Sequence, residues 1–329
     1  MRLPRELEEA VAAELRAHPQ VALARATAEM SEGYRAGRTG RFAFRSDAYR
    51  AAYLATRLPA TFAATRRALA YSRELAPEPD VRSLLDLGAG PGTAGWAAVE
   101  VFPELERVSF VERDPGMVAL GRRLAEHAPY SALREAEWRT TDLGSALLVE
   151  RFDLTILSYA LGELPTRPAQ DVLRWAWEHT AKWLAVIEPG TRPGFEVVID
   201  ARQQLLSFGA HVLAPCPHGK ECPMQQAGDW CHFAVRLERS GMHRRLKQGD
   251  LGYEDEKFSY VIAGREAITP AAARVVRHPM RHSGYTQLTL CGATGLERVT
   301  VTRSQKELYR AAKKAEWGDS WRSDRVIED

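Results

Sequence analysis

The chain has 329 residues, of which 45% are hydrophobic and 27% charged; that is enough for one large core with a smaller appended unit and excludes bulk disorder. Its 45 basic and 43 acidic side chains leave a formal charge of +2, which excludes a whole-molecule field for polyanions and leaves any such role to local patches. The opening run MRLPRELEEAVAAELRAHPQ alternates charges with alanine and leucine instead of leading a basic patch into an apolar stretch, and no segment is apolar enough over its length to span a bilayer. The expectation is a cytoplasmic protein with no membrane partner.

Residues 1–76 read as a helical region. Apolar residues recur at helical spacing in LEEAVAAEL and in DAYRAAYLATRLPATFAATRRALAYSREL, with a glycine- and arginine-rich loop, SEGYRAGRTGR, between them. After APEPD the pattern becomes strand, glycine loop and helix: VRSLLDLG, AGPGTAGWAAVEVF, RVSFVERD and PGMVALGRRLAEHA. WRTTDL, FDLTILSYAL and WLAVIEPG supply three more strands, the last two separated by the helical DVLRWAWEHTAKW. Such alternation predicts an α/β domain with a parallel sheet over 77–208. Beyond Gly209 the alternation stops, and 209–329 reads as a cysteine-rich extension with strands FSYVIAG, YTQLTLCG and ERVTVTRS and a terminal helix or tail KELYRAAKKAEWGDSWR.

Asp86, Gly88, Gly90 and Gly92 end the first strand and open a helix, the context in which a glycine-rich loop lets backbone approach a ligand. Dinucleotide enzymes share such loops. Asp86 before the first glycine, Glu112 at the end of the next strand and Asp142 after the third resemble the class I S-adenosylmethionine (SAM)-dependent methyltransferase pattern. That resemblance implies a Rossmann-like fold, with the loop at the amino-acid part of SAM, Glu112 on the ribose and Asp142 at the adenine amine. Asp142 also suits a helix N-cap or turn. The strand ending in Ser158 and Tyr159, with Glu163 beyond, falls where methyltransferases keep substrate-facing residues. Ser158 is assigned to the cofactor, Tyr159 and Glu163 to the substrate side, and Glu188-Pro189-Gly190 to the same rim. Neither an Asn/Asp-Pro-Pro-aromatic signature nor a Pro-Cys nucleophile is present there, so the acceptor atom is not encoded in a motif.

All four cysteines fall late: Cys216 and Cys222 in APCPHGKECPM, Cys231 in DWCHF and Cys291 in LTLCG. Three in a proline- and glycine-punctuated loop and one from a distance can converge on one tetrahedral thiolate set, either for Zn2+, with His218 and His232 as alternative ligands, or for an iron–sulfur cluster. Thiolate geometry alone does not separate the two, and unrelated thiols are the plain alternative.

The run from LDLGAGPGTAGWAA through VERDPGMVALGRRL, SYALGELP and VIEPGTRPGF to APCPHGKECPM, DWCHFAVRLERS and FSYVIAGR resembles the methyltransferase-like family of small-ribosomal-subunit assembly factors of bacteria and mitochondria, over roughly Val81 to Arg303. The resemblance implies a [4Fe-4S] cluster on Cys216, Cys222, Cys231 and Cys291, SAM at Gly88, Gly90 and Glu112, and association with the small ribosomal subunit and its rRNA; no DNA partner is expected. It implies either an RNA methyltransferase or a catalytically silent assembly factor. The class-level alternative is a small-molecule methyltransferase with a zinc-stapled cap. Arg236, Arg239, His243, Arg244, Arg245 and Lys247 after the cysteine loop, and Arg274, Arg277, Arg281 and His282 before Cys291, are the expected phosphate contacts, with Lys313 and Lys314 as weaker ones. Trp230 and Tyr285 are the expected base-stacking rings.

Overall fold

The computed structural model describes residues 1–35, 46–76, 80–145, 150–239, 241, 246 and 251–321. His243, Arg244, Arg245 and Lys247 lie outside the described residues, as does most of the expected loop SEGYRAGRTGR, whose first residues instead continue a helix to Arg35. Contacts divide the chain into two units: 1–67, 80–185 and 235–256 form unit 1, and 68–79, 186–234 and 257–329 form unit 2. Each unit draws on three separate stretches of chain, so the units interleave along the sequence.

Unit 1 begins with helices α1 (Arg5–Arg16), α2 (Gln20–Arg35) and α3 (Asp47–Thr56) and the first half of α4 (Leu58–Leu75). Its sheet is built from β1 (Ser83–Leu87), β2 (Arg107–Glu112), β3 (Glu137–Thr140), β4 (Phe152–Ser158) and the start of β5 (Thr180–Pro189), in the order β3-β2-β1-β4-β5. The pairs β1–β2, β2–β3 and β1–β4 are parallel. Four of the five β1 residues and five of the six β2 residues are buried, the continuous apolar run that a parallel strand covered on both faces requires.

Crossovers α5 (Thr93–Val101), α6 (Pro115–Ala125), short α7 (Ser131–Arg134) and α8 (Thr166–Glu178) return the chain between strands. α6 is started by Asp114, whose carboxylate accepts from the Met117 amide at 2.9 Å, with Pro115 in the first turn. Arg50 of α3 then clamps Asp114 with two bonds, at 3.1 and 3.0 Å. α8 buries the stripe Val172, Leu173, Ala176 and Trp177.

In unit 2, α9 (Arg192–Ser207) starts at Thr191, whose hydroxyl accepts from the Gly194 amide at 3.2 Å. β6 (His211–Ala214) runs antiparallel to the unit 2 part of β8 (Tyr253–Gly264), while β7 (Phe233–Glu238), which also pairs with β8, belongs from Val235 onward to unit 1, as do the first four residues of β8. Short α10 (Pro223–Gln226) lies in the cysteine loop. A second sheet orders β10 (Met280–Arg281), β11 (Tyr285–Gly292), β9 (Ala273–Val275) and β13 (Ser320–Trp321), with β12 (Gly295–Thr302) also on β11. α11 (Lys306–Lys314) contributes Ala312 to a core with Val275, Leu288, Leu290, Val301 and Trp321. Among the described residues no helix is long and apolar enough to cross a membrane.

Candidate functional site

The order β3-β2-β1-β4-β5 reverses direction between β1 and β4, so a crevice opens outside their carboxyl ends, where open α/β sheets bind ligands. A cleft of about 100 Å³ occupies that place. Gly88 and Gly90, Glu112, Asp142, Ser158, Tyr159 and Glu163 all line it, so seven of the residues singled out in the sequence meet in one site. Tyr53, Arg113, Met117 and Thr141 also line it. Nothing in the sequence motif pointed to these four, since Tyr53 comes from α3, far from the loop in sequence.

The glycine loop is tied back by Gly88 and Ala89, whose amides donate to the Val111 carbonyl at 2.9 and 3.0 Å. Gly88, Gly90 and Gly92 all have positive φ, at 73°, 54° and 80°. A Cβ on Gly88 would strike Ala160 Cβ at 2.7 Å, whereas one on Gly90 would meet nothing within 4 Å and would occupy the cleft itself. The Gly90 amide donates to Glu112 Oε2 at 2.8 Å, and the Asp114 amide to Glu112 Oε1 at 2.9 Å. Glu112 is therefore held in place by two backbone donors. Burial pushes its carboxyl above the usual carboxylate range, against the pull of those two amides.

Asp86 stands apart from this group. It is 1% exposed and does not line the cleft. Burial pushes its carboxyl up to about 8, opposed by a bond from the Gly95 amide and reinforced by nearby Glu112, and Oδ2 has no partner. Its place is behind the loop, as a support for the turn into α5. Gly92 is likewise absent from the lining and serves as the left-handed N-cap of α5.

Ser158 Oγ lies 2.8 Å from Thr65 Oγ. Tyr159 has φ 56°, a conformation that a bulky side chain adopts only when its surroundings impose it. Its hydroxyl donates to Glu256 Oε1 at 3.0 Å, and Arg57 lies over its ring at 5.8 Å. Glu163 faces water at the rim. The surrounding protein still pushes its carboxyl up to about 7, with Arg113 pulling it down and Glu112 pushing it up. Exposure screens that shift, so little folding energy attaches to it. Glu188, Pro189 and Gly190, expected on the same rim, are not among the lining residues; the Gly190 amide donates to the Lys257 carbonyl at 2.8 Å, and its own carbonyl accepts from Trp230 Nε1 at 3.1 Å.

The four cysteines gather within unit 2. Cys222 and Cys291 are buried and share an apolar cluster with Phe195, Ile199, Met224 and Val276, against which Cys231 packs; Cys216 and Cys231 are half-buried. Burial pushes the Cys231 thiol well up, and Cys216, Cys222 and Cys291 each push it further, so the four sulfurs lie within electrostatic reach of one another. Cys291 is pushed up to about 12 by burial and by Cys216 and Cys222. Among the described residues no three His, Cys, Asp or Glu side chains stand close enough to hold one metal ion. His218 and His232 each keep a buried Nδ1 without a partner.

Most of the arginines expected to face phosphate are committed to the protein itself. Arg236 holds Asp255 with two bonds at 2.7 and 2.9 Å, and Arg239 holds Glu254 at 2.8 and 3.2 Å. Arg274 is buried, Arg277 pairs with Asp229, and Arg281 donates to the carbonyls of Lys313 and Ala315. These guanidiniums answer internal carboxylates and loop carbonyls, a demand that a run of basic letters does not reveal. Trp230 is stacked on His232, and Tyr285 on His282.

Sheet order, glycine loop and a strand-end carboxylate together define a Rossmann-like domain of the SAM-dependent methyltransferase type. A family model described as "Mitochondrial small ribosomal subunit Rsm22" matches residues 47–322. The chain belongs to that family. It is 28% identical over 286 residues to the human mitochondrial ribosome assembly protein METTL17, a match covering 81% of this chain and 61% of the relative. It is 23% identical to the mitochondrial ribosome assembly protein RSM22 of Saccharomyces cerevisiae, covering 56% of this chain and 46% of that one. The chain thus spans less than two thirds of these relatives' length, 61% of the first and 46% of the second. A solved magnesium protoporphyrin IX methyltransferase from Synechocystis, with bound SAH, covers 63% of this chain and 84% of its own at 13% identity and a TM-score of 0.43, a likeness too slight to add to the fold assignment. The expectation of a cytoplasmic protein is overturned by the mitochondrial descriptions of the family and of these relatives.

Proposed function

We propose that the protein is a SAM-binding, methyltransferase-like factor that acts on the assembling small ribosomal subunit or its rRNA and carries a [4Fe-4S] cluster. One observation carries this reading: the family match over 47–322 encloses both the cleft from Gly88 to Glu163 and all four cysteines. In it, the loop at Gly88 and Gly90 receives the amino-acid part of SAM, Glu112 the ribose and Asp142 the adenine. The open space in front of Gly90 suits such a ligand, since a side chain there would fill it. When bound, SAM supplies an electrophilic methyl group on a sulfonium. The chain's part is to hold that donor in line with an acceptor, which is most of what methyl transfer needs.

Glu163, a water-facing carboxylate at the rim of the cleft, is the group placed to take a proton from an acceptor, and Tyr159 shapes the approach. A silent assembly factor is the second reading, favoured by the engagement of the Tyr159 hydroxyl with Glu256.

Four thiols are the donor set of a cubane cluster, and Cys216, Cys222, Cys231 and Cys291 would each supply one thiolate, so that the cysteine loop and β11 would be tied together when the cluster is bound. A mononuclear zinc ion would draw its sulfurs to about 2.3 Å from one centre. The reading of a cluster in place of zinc is supported by the all-thiol donor set gathered in one region of unit 2.

The test is sedimentation of the purified protein with small-subunit precursors, together with SAM binding by equilibrium dialysis and methyl transfer from labelled SAM. Co-sedimentation, SAM binding and labelled RNA support the enzyme. Co-sedimentation without label supports the silent factor. Absence of co-sedimentation sinks both and returns the search to small-molecule acceptors.

A further inference from the structure

Two arginines of unit 2 carry charges that no carboxylate among the described residues answers. Arg202 of α9 is 3% exposed and Arg274 of β9 is 1% exposed. Arg202 Nη2 donates to the carbonyls of His218 and Lys220 at 2.8 and 2.7 Å. Arg274 donates from Nε to the Pro215 carbonyl at 3.0 Å and from Nη1 to the Gly318 carbonyl at 2.9 Å. Among the described residues neither forms an ion pair, and Arg202 Nε has no partner at all. A guanidinium stays protonated at any accessible pH, and burying one without an anion is costly. Such a buried pair of cations calls for an anion close by.

The placement of the two cations says where it belongs. The carbonyls of Pro215, His218 and Lys220 come from the loop that carries Cys216 and Cys222, so the two carbonyls that hold Arg202 lie between those cysteines in sequence, and Arg274 is tied to the residue before Cys216. Arg274 stands directly opposite Cys291 in the antiparallel register of β9 and β11, so the two side chains emerge on one face of that sheet. Both guanidiniums therefore sit beside thiols at the two ends of the four-cysteine set.

We propose that Arg202 and Arg274 are the built-in counter-cations of an anionic tetrathiolate cluster at Cys216, Cys222, Cys231 and Cys291, and that their charge, beyond their hydrogen bonds, retains the cluster. The proposal rests on the cluster reading above. A [4Fe-4S] core of charge two plus on four thiolates has a net charge of two minus, which two guanidiniums match. Cations and N–H donors beside the sulfurs also favour the electron-richer state, so they raise the cluster's reduction potential.

The test compares charge-keeping and charge-removing variants of the full chain, purified without oxygen: Arg202→Lys and Arg202→Gln, and independently Arg274→Lys and Arg274→Gln. Iron and sulfide content, the rate of iron release to a chelator and the potential in a dithionite titration are measured. The Lys variants are expected to release iron at the wild-type rate. The Gln variants should release it about tenfold faster, the loss of one charge-assisted bond, with a more negative potential. Gln variants that match the wild type in both readouts overturn the proposal. So do Lys and Gln variants that change alike, because a mere tie to the loop carbonyls predicts that result. The pair at either position suffices if one Gln variant does not accumulate. Wild-type protein without iron and sulfide overturns the cluster reading itself, a failure seen before any variant is made.

Discussion

At the scale of single residues, the glycine loop separates ligand space from packing space. Gly90 has φ 54° with open space in front of its missing Cβ, while a Cβ on Gly95 would lie 2.5 Å from the Phe110 ring. Gly90→Val is therefore expected to weaken SAM binding at least tenfold while costing about 1–2 kcal/mol of stability for the left-handed backbone. Gly95→Ala should cost about 1–3 kcal/mol through overpacking. Calorimetric SAM titration beside urea denaturation of both variants checks the contrast, and equal loss of binding in the two would remove the distinction.

Asp86 makes a second prediction at this scale. Its folded-state carboxyl is raised to about 8 from an ordinary value near 3.8. A raised carboxyl binds its proton more tightly in the folded than in the unfolded chain, so its contribution is complete below pH 3.8 and drains away as pH rises to about 8. Asp86→Asn mimics the protonated form. The wild type should lose melting temperature relative to this variant as pH is raised from 6 to about 9, and parallel pH profiles would show that Asp86 does not titrate across that window. The aspartate-glycine signature was legible in the sequence, but its position behind the loop was not, because a motif records order along the chain and not which side chain faces the ligand.

At the scale of elements, the start of α6 is the joint between the helical N-terminal region and the sheet within unit 1. Asp114 caps α6 and receives both bonds from Arg50, with side-chain exposures of only 8% and 17%. Asp114→Ala removes a cap and leaves Arg50 with only Asp47, an expected loss of about 2–3 kcal/mol. Chemical denaturation of Asp114→Ala and Asp114→Asn measures it, the latter keeping the cap.

The strand and helix sequence from β1 to β5 was legible because each element carries its own period, with buried strands running apolar and α8 striped. What was missed has physical reasons. The first half of β8, Tyr253–Lys257, alternates exposed and half-buried residues and reads as a charged loop, although its second half is wholly buried. β9, β10 and β13 are two or three residues long and exist only through their partners. α9 was passed over because its apolar residues are broken by Asp200, Arg202, Gln203 and Gln204, of which Arg202 turns inward.

At the scale of the molecule, the cysteine set draws on two distant stretches of unit 2, the loop at 216–231 and β11. Metal-binding energy is folding energy wherever the site forms only in the folded chain. Cys222→Ser is expected to lower the melting temperature of the anaerobically purified protein by several degrees and to cut its iron content. Unchanged iron and melting would remove Cys222 from the ligand set. That the four thiols share one region of unit 2 was legible from their clustering late in the chain. The buried guanidiniums among them were not, because an arginine in a sequence is the same letter whether it meets water, phosphate or sulfur.

The fourth thiol also sets a clock. As the chain leaves the ribosome, Cys216, Cys222 and Cys231 emerge together, and the set stays one sulfur short until β11 has been made and has paired with β9, which brings Arg274 opposite Cys291. A chain stopped between Cys231 and Arg274 carries three of the four thiols and Arg202 but lacks both the fourth thiol and the second guanidinium. Completion of the set is thus a record that translation has passed β11, written into the protein by the order of its own strands.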